Sequence, residues 1–362
     1  MVGSGVAEVL DRNAGRIPRL AGRDASLSYI LDLRDFPDSP FADKFTKSFN
    51  VIINDPEVGV IVETIGGVSA ALDYTRQALE RGISVVTSNK ELVATHGHEL
   101  LNLARENNAN YLFEASVGGG IPIIRPLSQC LLANNLQEVY GILNGTTNFI
   151  LTRMFERGAS FKDALGEAQR LGYAERDPRD DISGKDVARK VCILASLAFG
   201  NHVTPDMVSC EGIEGITRAD VDWAAANGFR VKLLGRAVRL DDSHIAAYVA
   251  PHMVPIDNPL SDVSDVYNGI VVCGDAVGDV MFYGRGAGKL PTASAVVADV
   301  IDALKHMHAR KYVEFAPPLD GFVASSDNLP DRWYHRTDNG VQITDNRYGV
   351  SDSQYTMRLY GA

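Results

Sequence analysis

The 362-residue chain carries 35 lysines and arginines against 46 aspartates and glutamates, a formal net charge of −11. That acidic balance, without a basic run, excludes nucleic acid as the main partner, and 45% hydrophobic with 22% charged residues excludes wholesale disorder. At about 100–200 residues per domain, the length predicts two domains with core enough to need no disulfide or metal staple.

The opening Met1–Glu8 has no basic region and no sustained apolar stretch, so no signal peptide is expected. No apolar run approaches the roughly 20 residues of a membrane helix, which predicts no membrane partner. Cys130, Cys192, Cys210 and Cys273 lie far apart without a C-x-x-C pair, the pattern of a reduced, cytoplasmic protein.

In chain order, Val2-Gly3-Ser4-Gly5 opens a helix-like run to Leu10. It is either a flexible start rich in small residues or the end of a phosphate-binding glycine turn. Residues 28–33 are β-like and end at Leu33-Arg34-Asp35. Residues 59–63 form a clearer buried strand, delivering Thr64-Ile65-Gly66-Gly67. Ser69 is placed to cap a helix to about Arg81, residues 84–87 form a short strand before a Ser88-Asn89-Lys90 loop, and a further helix is expected over about 97–107. A strand over 110–114 follows. Strand–helix alternation with short connections predicts right-handed βαβ units, a doubly wound α/β parallel sheet with ligands at the carboxyl ends of its strands.

The middle of the chain reads differently. A strand over 139–143 leads through Asn144-Gly145-Thr146 into helices over 146–157 and 161–171. After an acidic loop comes an amphipathic helix over 184–199, alternating stretches at 232–240 and 244–249 predict antiparallel strands, and 268–274 and 280–284 read as further strands. A helix over 292–308 opens after Gly286-Ala287-Gly288-Lys289-Leu290-Pro291, and residues 317–362 read as turn-rich and polar with weak strand signals.

Three segments could carry chemistry. Glu175, Asp177, Asp180, Asp181 and Asp186 crowd a 12-residue span, with Lys190 one turn beyond Asp186. Such a cluster is either a solvated face or a place where carboxylates hold a cation, since like charges raise one another's pKa unless a cation sits among them. Residues 141–149 form a strand-to-helix turn that is either an ordinary cap or a pocket wall. Glu114-Ala115-Ser116-Val117-Gly118-Gly119-Gly120-Ile121-Pro122 leaves carbonyls available to a cation, and is equally compatible with a hinge. No histidine or cysteine spacing suggests a transition-metal site.

Taken together, these segments resemble homoserine dehydrogenase. The resemblance rests on the run from Ala168 through Gly172, Asp177-Pro178, Asp181, Gly184 and Asp186 to Lys190. It also rests, in the same order as in the family, on residues 141–148, Ser88-Asn89-Lys90, residues 114–122 and Gly286-Ala287-Gly288 with Pro291-Thr292-Ala293, and it covers about residues 2–315. It implies a Rossmann-like NAD(P)-binding domain over 1–120, whose first strand would lie upstream of Met1. An α+β substrate-binding and dimerisation domain would follow over 121–285, then a return helix over 286–316, and a 317–362 tail too short for the family's regulatory ACT domain. No threonine feedback is therefore expected.

The resemblance also implies roles. Lys190 is the favoured proton shuttle, with Asp186 beside the reacting hydroxyl and Lys90 as its rival near the nicotinamide. Glu175, Asp181, Gly145 and Thr146 would bind substrate, and Val2, Gly3, Arg34, Thr64, Lys90 and Gly288 the coenzyme. Arg34 would face a 2′-phosphate and so favours NADP over NAD. Glu114 with the carbonyls of Val117, Gly119 and Ile121 would hold a monovalent cation, sodium. The activity implied is the NAD(P)H-dependent interconversion of L-aspartate 4-semialdehyde and L-homoserine by a cytoplasmic homodimer. The alternative is an N-terminally truncated relative that binds coenzyme weakly or does not catalyse.

Overall fold

Buried apolar strands alternate with amphipathic helices in one part of the chain, and long antiparallel strands fill the other. The computed structural model describes residues 1–309 and 313–361 and divides into two compact units, Met1–Gln129 with Ala287–Ala316 and Cys130–Gly286 with Pro317–Ala362.

In the first unit, strands Val60–Glu63, Ser84–Thr87 and Tyr111–Leu112 pair in parallel in that order. Ser84–Thr87 is buried along its whole length, as a strand covered on both faces must be. Val86 and Leu112 share a core with Val6 of helix Val2–Arg12 and with Ala293, Val296 and Val300 of helix Lys289–Lys305. Ile30–Leu31 and Phe45–Thr46 form a separate parallel pair, and no described strand bridges it to Val60–Glu63.

Two local expectations are corrected. The helix expected over 97–107 begins at Lys90, because the Asn89 side chain accepts the Leu92 N–H at 3.1 Å and so caps it. Gly97, read as a start, lies mid-helix where the Phe315 ring packs onto it, 2.7 Å from where a β-carbon would stand. Ser69 does not cap its helix; Ser69–Glu80 follows Val68 without a side-chain cap bond.

The second unit is built on one large, mostly antiparallel sheet. Its strand order is Gly278–Arg285, Tyr267–Gly274, Leu136–Ile142, Phe229–Arg239, Ile245–Pro255, Tyr355–Leu359, Arg332–Thr337, Gly340–Thr344. Helix Lys185–Phe199 lies on the sheet with Val187 and Val191 against Gly235.

Residues after 317, expected to be a polar tail, are instead part of this sheet. Arg358 pairs in register with His252 on Ile245–Pro255. The Arg358 guanidinium is 2% exposed, bonded to Asp331 and set 4.2 Å from the Trp333 ring and 4.6 Å from the Tyr248 ring. Asp220, buried, accepts from Tyr334 at 2.7 Å and from Arg336. Buried charges interrupt the apolar alternation, which is why these strands read weakly. Among the described residues all four cysteines are free, and no helix is long and apolar enough to cross a membrane.

Candidate active site

Strand Leu136–Ile142 runs into Asn144, which caps helix Gly145–Arg157 by accepting the Thr147 N–H at 2.9 Å. The same side chain donates from Nδ2 to Asp181 at 2.8 Å and to Asp186 at 2.9 Å. Lys190, one turn after Asp186 on helix Lys185–Phe199, donates from Nζ to Asp186 at 2.7 Å and to the Leu143 carbonyl at 2.6 Å. Asp186 and Lys190 are 6% and 9% exposed. Burying an ion pair costs about as much as it returns, so such a pair is weak evidence for a stabilising role and stronger evidence for a chemical one. Thr146 donates to the Tyr173 carbonyl at 2.7 Å, and at Gly145 a β-carbon would stand 2.8 Å from the Val266 carbonyl.

Gly145, Thr146, Asp181, Asp186 and Lys190 are thus gathered around Asn144. Glu175 stands exposed on the neighbouring segment, and among the described residues its carboxylate has no hydrogen bond or ion pair. Asp177 and Asp180, by contrast, are engaged with Arg179 and Arg189.

The first unit holds the remaining predicted residues. Lys90 is the first residue of its helix. Asn89 ties that helix start to the loop after Val60–Glu63, donating to the carbonyls of Ile65 at 3.1 Å and Gly67 at 2.7 Å. Beneath it, buried Glu63 accepts from the Thr87 hydroxyl and the Ile65 N–H, and Thr87 accepts the Asn89 N–H at 2.9 Å. Burial pushes the Glu63 carboxyl up and these two bonds pull it back. Thr64 Oγ1 lies against Gly3, 3.0 Å from where a β-carbon would stand, so Val2 and Gly3 bring a helix N-terminus, without a side-chain cap bond among the described residues, to the end of that strand. Gly288 begins helix Lys289–Lys305 at a φ of 129°, and Lys289 pairs with Glu8 at 2.7 Å.

Arg34 forks onto Asp32 with bonds of 3.0 and 2.9 Å and lies 5.2 Å from the Phe36 ring centre. The fork holds the Asp32 carboxyl down at about 2. Both line a cleft of about 310 Å³ with Phe36, Pro37, Phe45 and Lys47, and Lys47 pairs with Asp35 at 2.7 Å. Arg34 and Lys47, each paired with a carboxylate, thus face an open cleft with aromatic walls, where they can turn to a bound phosphate. Sequence reasoning missed Asp32 and Lys47, and it reached Glu63 and Thr87 only as strand ends and Asn144 only as part of a strand-to-helix turn. The available signal was position: Asp32 and Glu63 are charges at the ends of apolar strands.

Glu114 is 4% exposed, and its carboxylate accepts three backbone amides, those of Ile123, Ile124 and Arg125, at 2.6, 2.8 and 2.9 Å. Gly118 and Gly119 turn the chain at positive φ, 71° and 57°. The Gly118 carbonyl accepts the Ile121 N–H at 2.9 Å, and among the described residues the buried carbonyls of Val117, Gly119 and Ile121 accept none. Buried orphan carbonyls beside a carboxylate suit a hard monovalent cation. Asp299 accepts the Glu114 N–H at 2.8 Å and pairs with Arg125 at 2.7 Å. Burial and the Glu114 charge push its carboxyl up to about 8.

Comparison with known proteins shows what the chain is similar to. Residues 1–114 match the family model "Homoserine dehydrogenase, NAD binding domain" and residues 122–301 the model "Homoserine dehydrogenase". The homoserine dehydrogenase of Pseudomonas aeruginosa is 46% identical over 308 residues, covering 84% of this chain and 70% of that protein. The crystal structure of a homoserine dehydrogenase from Thiobacillus denitrificans superposes with a TM-score of 0.90 at 34% identity, covering 99% of this chain and 95% of that one. A hyperthermophilic archaeal homoserine dehydrogenase in complex with NADPH matches with a TM-score of 0.68 at 29% identity, over 83% of this chain and 94% of that one. The chain belongs to the homoserine dehydrogenase family, NAD(P)-dependent oxidoreductases that act on the alcohol of the small molecule homoserine.

Proposed function

We propose that the Asn144–Asp181–Asp186–Lys190 cluster is where L-homoserine and L-aspartate 4-semialdehyde are interconverted. The observation that carries this reading is the Asn144 amide shared between Asp181 and Asp186, with the Lys190 ammonium on Asp186. Bound NAD(P) supplies the hydride acceptor or donor. Lys190 holds or moves the proton at the reacting oxygen, and Asp186 fixes its position. Asp181 and Glu175 take the substrate ammonium, and Gly145 and Thr146 line its pocket. Lys90 serves the coenzyme side and is the rival acid–base group.

Val2, Gly3, Thr64 and Gly288 approach the coenzyme phosphates and ribose, and Arg34 with Lys47 favours NADP over NAD. A sodium ion at Glu114 and the Val117, Gly119 and Ile121 carbonyls would brace that loop without entering the chemistry. The working form is a cytoplasmic homodimer built through the second unit's strands.

Homoserine oxidation, followed spectrophotometrically with NADP⁺ and NAD⁺ in sodium and in tetramethylammonium buffers, tests all of this. Turnover is expected with both coenzymes, faster with NADP⁺ and supported by sodium. No oxidation of homoserine with either coenzyme would sink the reading.

A further inference from the structure

Lys232, on strand Phe229–Arg239, belongs to no motif of the proposed site, yet its side chain is among the most confined cations in the second unit. It is 4% exposed and, among the described residues, has no carboxylate partner; Nζ donates to the Val263 carbonyl at 2.6 Å and to Asn148 Oδ1 at 3.3 Å. Asn148 sits one turn into helix Gly145–Arg157, and its Nδ2 reaches the carbonyls of Val263, Asp265 and Tyr267 at 3.0, 3.0 and 3.2 Å. These bonds hold a segment that otherwise has little regular structure, with Asp265 at a φ of 57°. The carbonyl of Val266, inside that segment, is the group packed against Gly145.

We propose that Lys232 is a positioning residue for substrate binding: its buried ammonium fixes the 263–267 segment, and through it the Gly145–Thr146 turn that receives the amino acid. The inference rests on the placement of substrate at that turn given above. A solvated lysine would be entropically cheaper here, and a buried one held only by neutral oxygens costs free energy that a purely apolar filler would avoid. What the ammonium adds over such a filler is directed, charge-assisted donation to two acceptors at once.

The charged groups around it are few. Arg230 stands two residues away on its own strand, Asp262 on the covering segment, Glu156 on helix Gly145–Arg157, and Asp265 is paired with Arg153 at 2.8 Å. His252, opposite Lys232 on the neighbouring strand, is kept neutral by burial and by Arg236. Burial, with Arg230 adding to it, brings the Lys232 ammonium down to about 8. The hold on the segment therefore weakens within the pH range where such enzymes can be assayed.

The test measures homoserine KM, coenzyme KM and kcat for wild type, Lys232→Met and Lys232→Arg at pH 7 and pH 9.5. At pH 7 Lys232→Met should raise homoserine KM about tenfold, with coenzyme KM and kcat within about twofold, and the ratio to wild type should shrink to about two at pH 9.5. Lys232→Arg, which keeps its charge, should match wild type at pH 7 and bind homoserine better than wild type at pH 9.5. A ratio independent of pH, or an equal rise in coenzyme KM, overturns the proposal. If Lys232→Met is not recovered folded, Lys232→Arg decides alone: a homoserine KM in constant ratio to wild type at both pH values overturns it. Failure of the wild type to oxidise homoserine would instead sink the substrate placement itself.

Discussion

Lys190 reaches Asp186 across one helical turn at 2.7 Å, and both side chains are almost entirely buried. A pair at that spacing on a solvated helix is worth tenths of a kcal/mol; out of water it becomes a fixed cation with a fixed counter-charge. That difference is what suits it to a reaction in which charge develops on one oxygen.

Replacing Lys190 by alanine should therefore lower kcat by about 10²–10⁴ while leaving coenzyme affinity near its original value. Steady-state kinetics paired with a fluorescence titration of NADPH would separate the two. Unchanged turnover would remove Lys190 from the chemistry and leave Lys90 in its place.

Asn144 does two jobs, capping a helix and bridging two acids. Asn144→Ala should cost about 1 kcal/mol of stability from the lost cap. It should also raise homoserine KM about tenfold, because Asp181 and Asp186 lose their shared donor. Asn144→Ser, which can still cap, should recover the stability and not the KM. Recovery of both would reduce the bridge to a cap.

Arg34 is exposed and held by Asp32 at the rim of the cleft. Arg34→Ala should lower kcat/KM for NADP⁺ about 10–100-fold and leave that for NAD⁺ within a few-fold, since only the first coenzyme carries the extra phosphate. An equal loss for both coenzymes would show that Arg34 shapes the loop rather than reading the phosphate.

Lys232 also makes a prediction about stability alone. Its folded-state value of about 8 lies below the usual 10.5, so between these pH values the unfolded chain binds the proton that the folded chain has released. Stability then rises with pH across that window. Wild type should gain on the order of 2 kcal/mol relative to Lys232→Met between pH 8 and 10.5 in urea unfolding. A gap that is constant or that shrinks would place the group's titration elsewhere.

The parts of this molecule that could be read from sequence are those written in short-range spacing. The i, i+4 placement of Asp186 and Lys190, the buried strand 84–87 and the amphipathic helix after the acidic loop all appear in the structure where periodicity puts them. Asn144 was legible as a cap, but its bonds to residues 37 and 42 positions away were not, because no local pattern encodes them. Lys90 was placed in a loop because Gly97 looked like a helix start, and only the distant Phe315 ring explains that glycine. The strands after residue 317 were hidden by Arg358 and Asp331, which are buried as a pair and so read as surface. In each miss the deciding partner is remote in sequence.

The core that joins helix Val2–Arg12 to helix Lys289–Lys305 has a consequence for how the chain is made. Synthesis is vectorial, and domains ordinarily fold as they emerge. Here residues 130–286 are translated before the helix that completes the coenzyme-side core exists, and their own sheet waits in turn for strands Arg332–Thr337 and Tyr355–Leu359. Val6 and Val86 must wait with apolar surface uncovered until Ala293, Val296 and Val300 arrive. The coenzyme unit starts first yet cannot close its core until residues 289–305 are made, so both units finish only in the last stretch of synthesis.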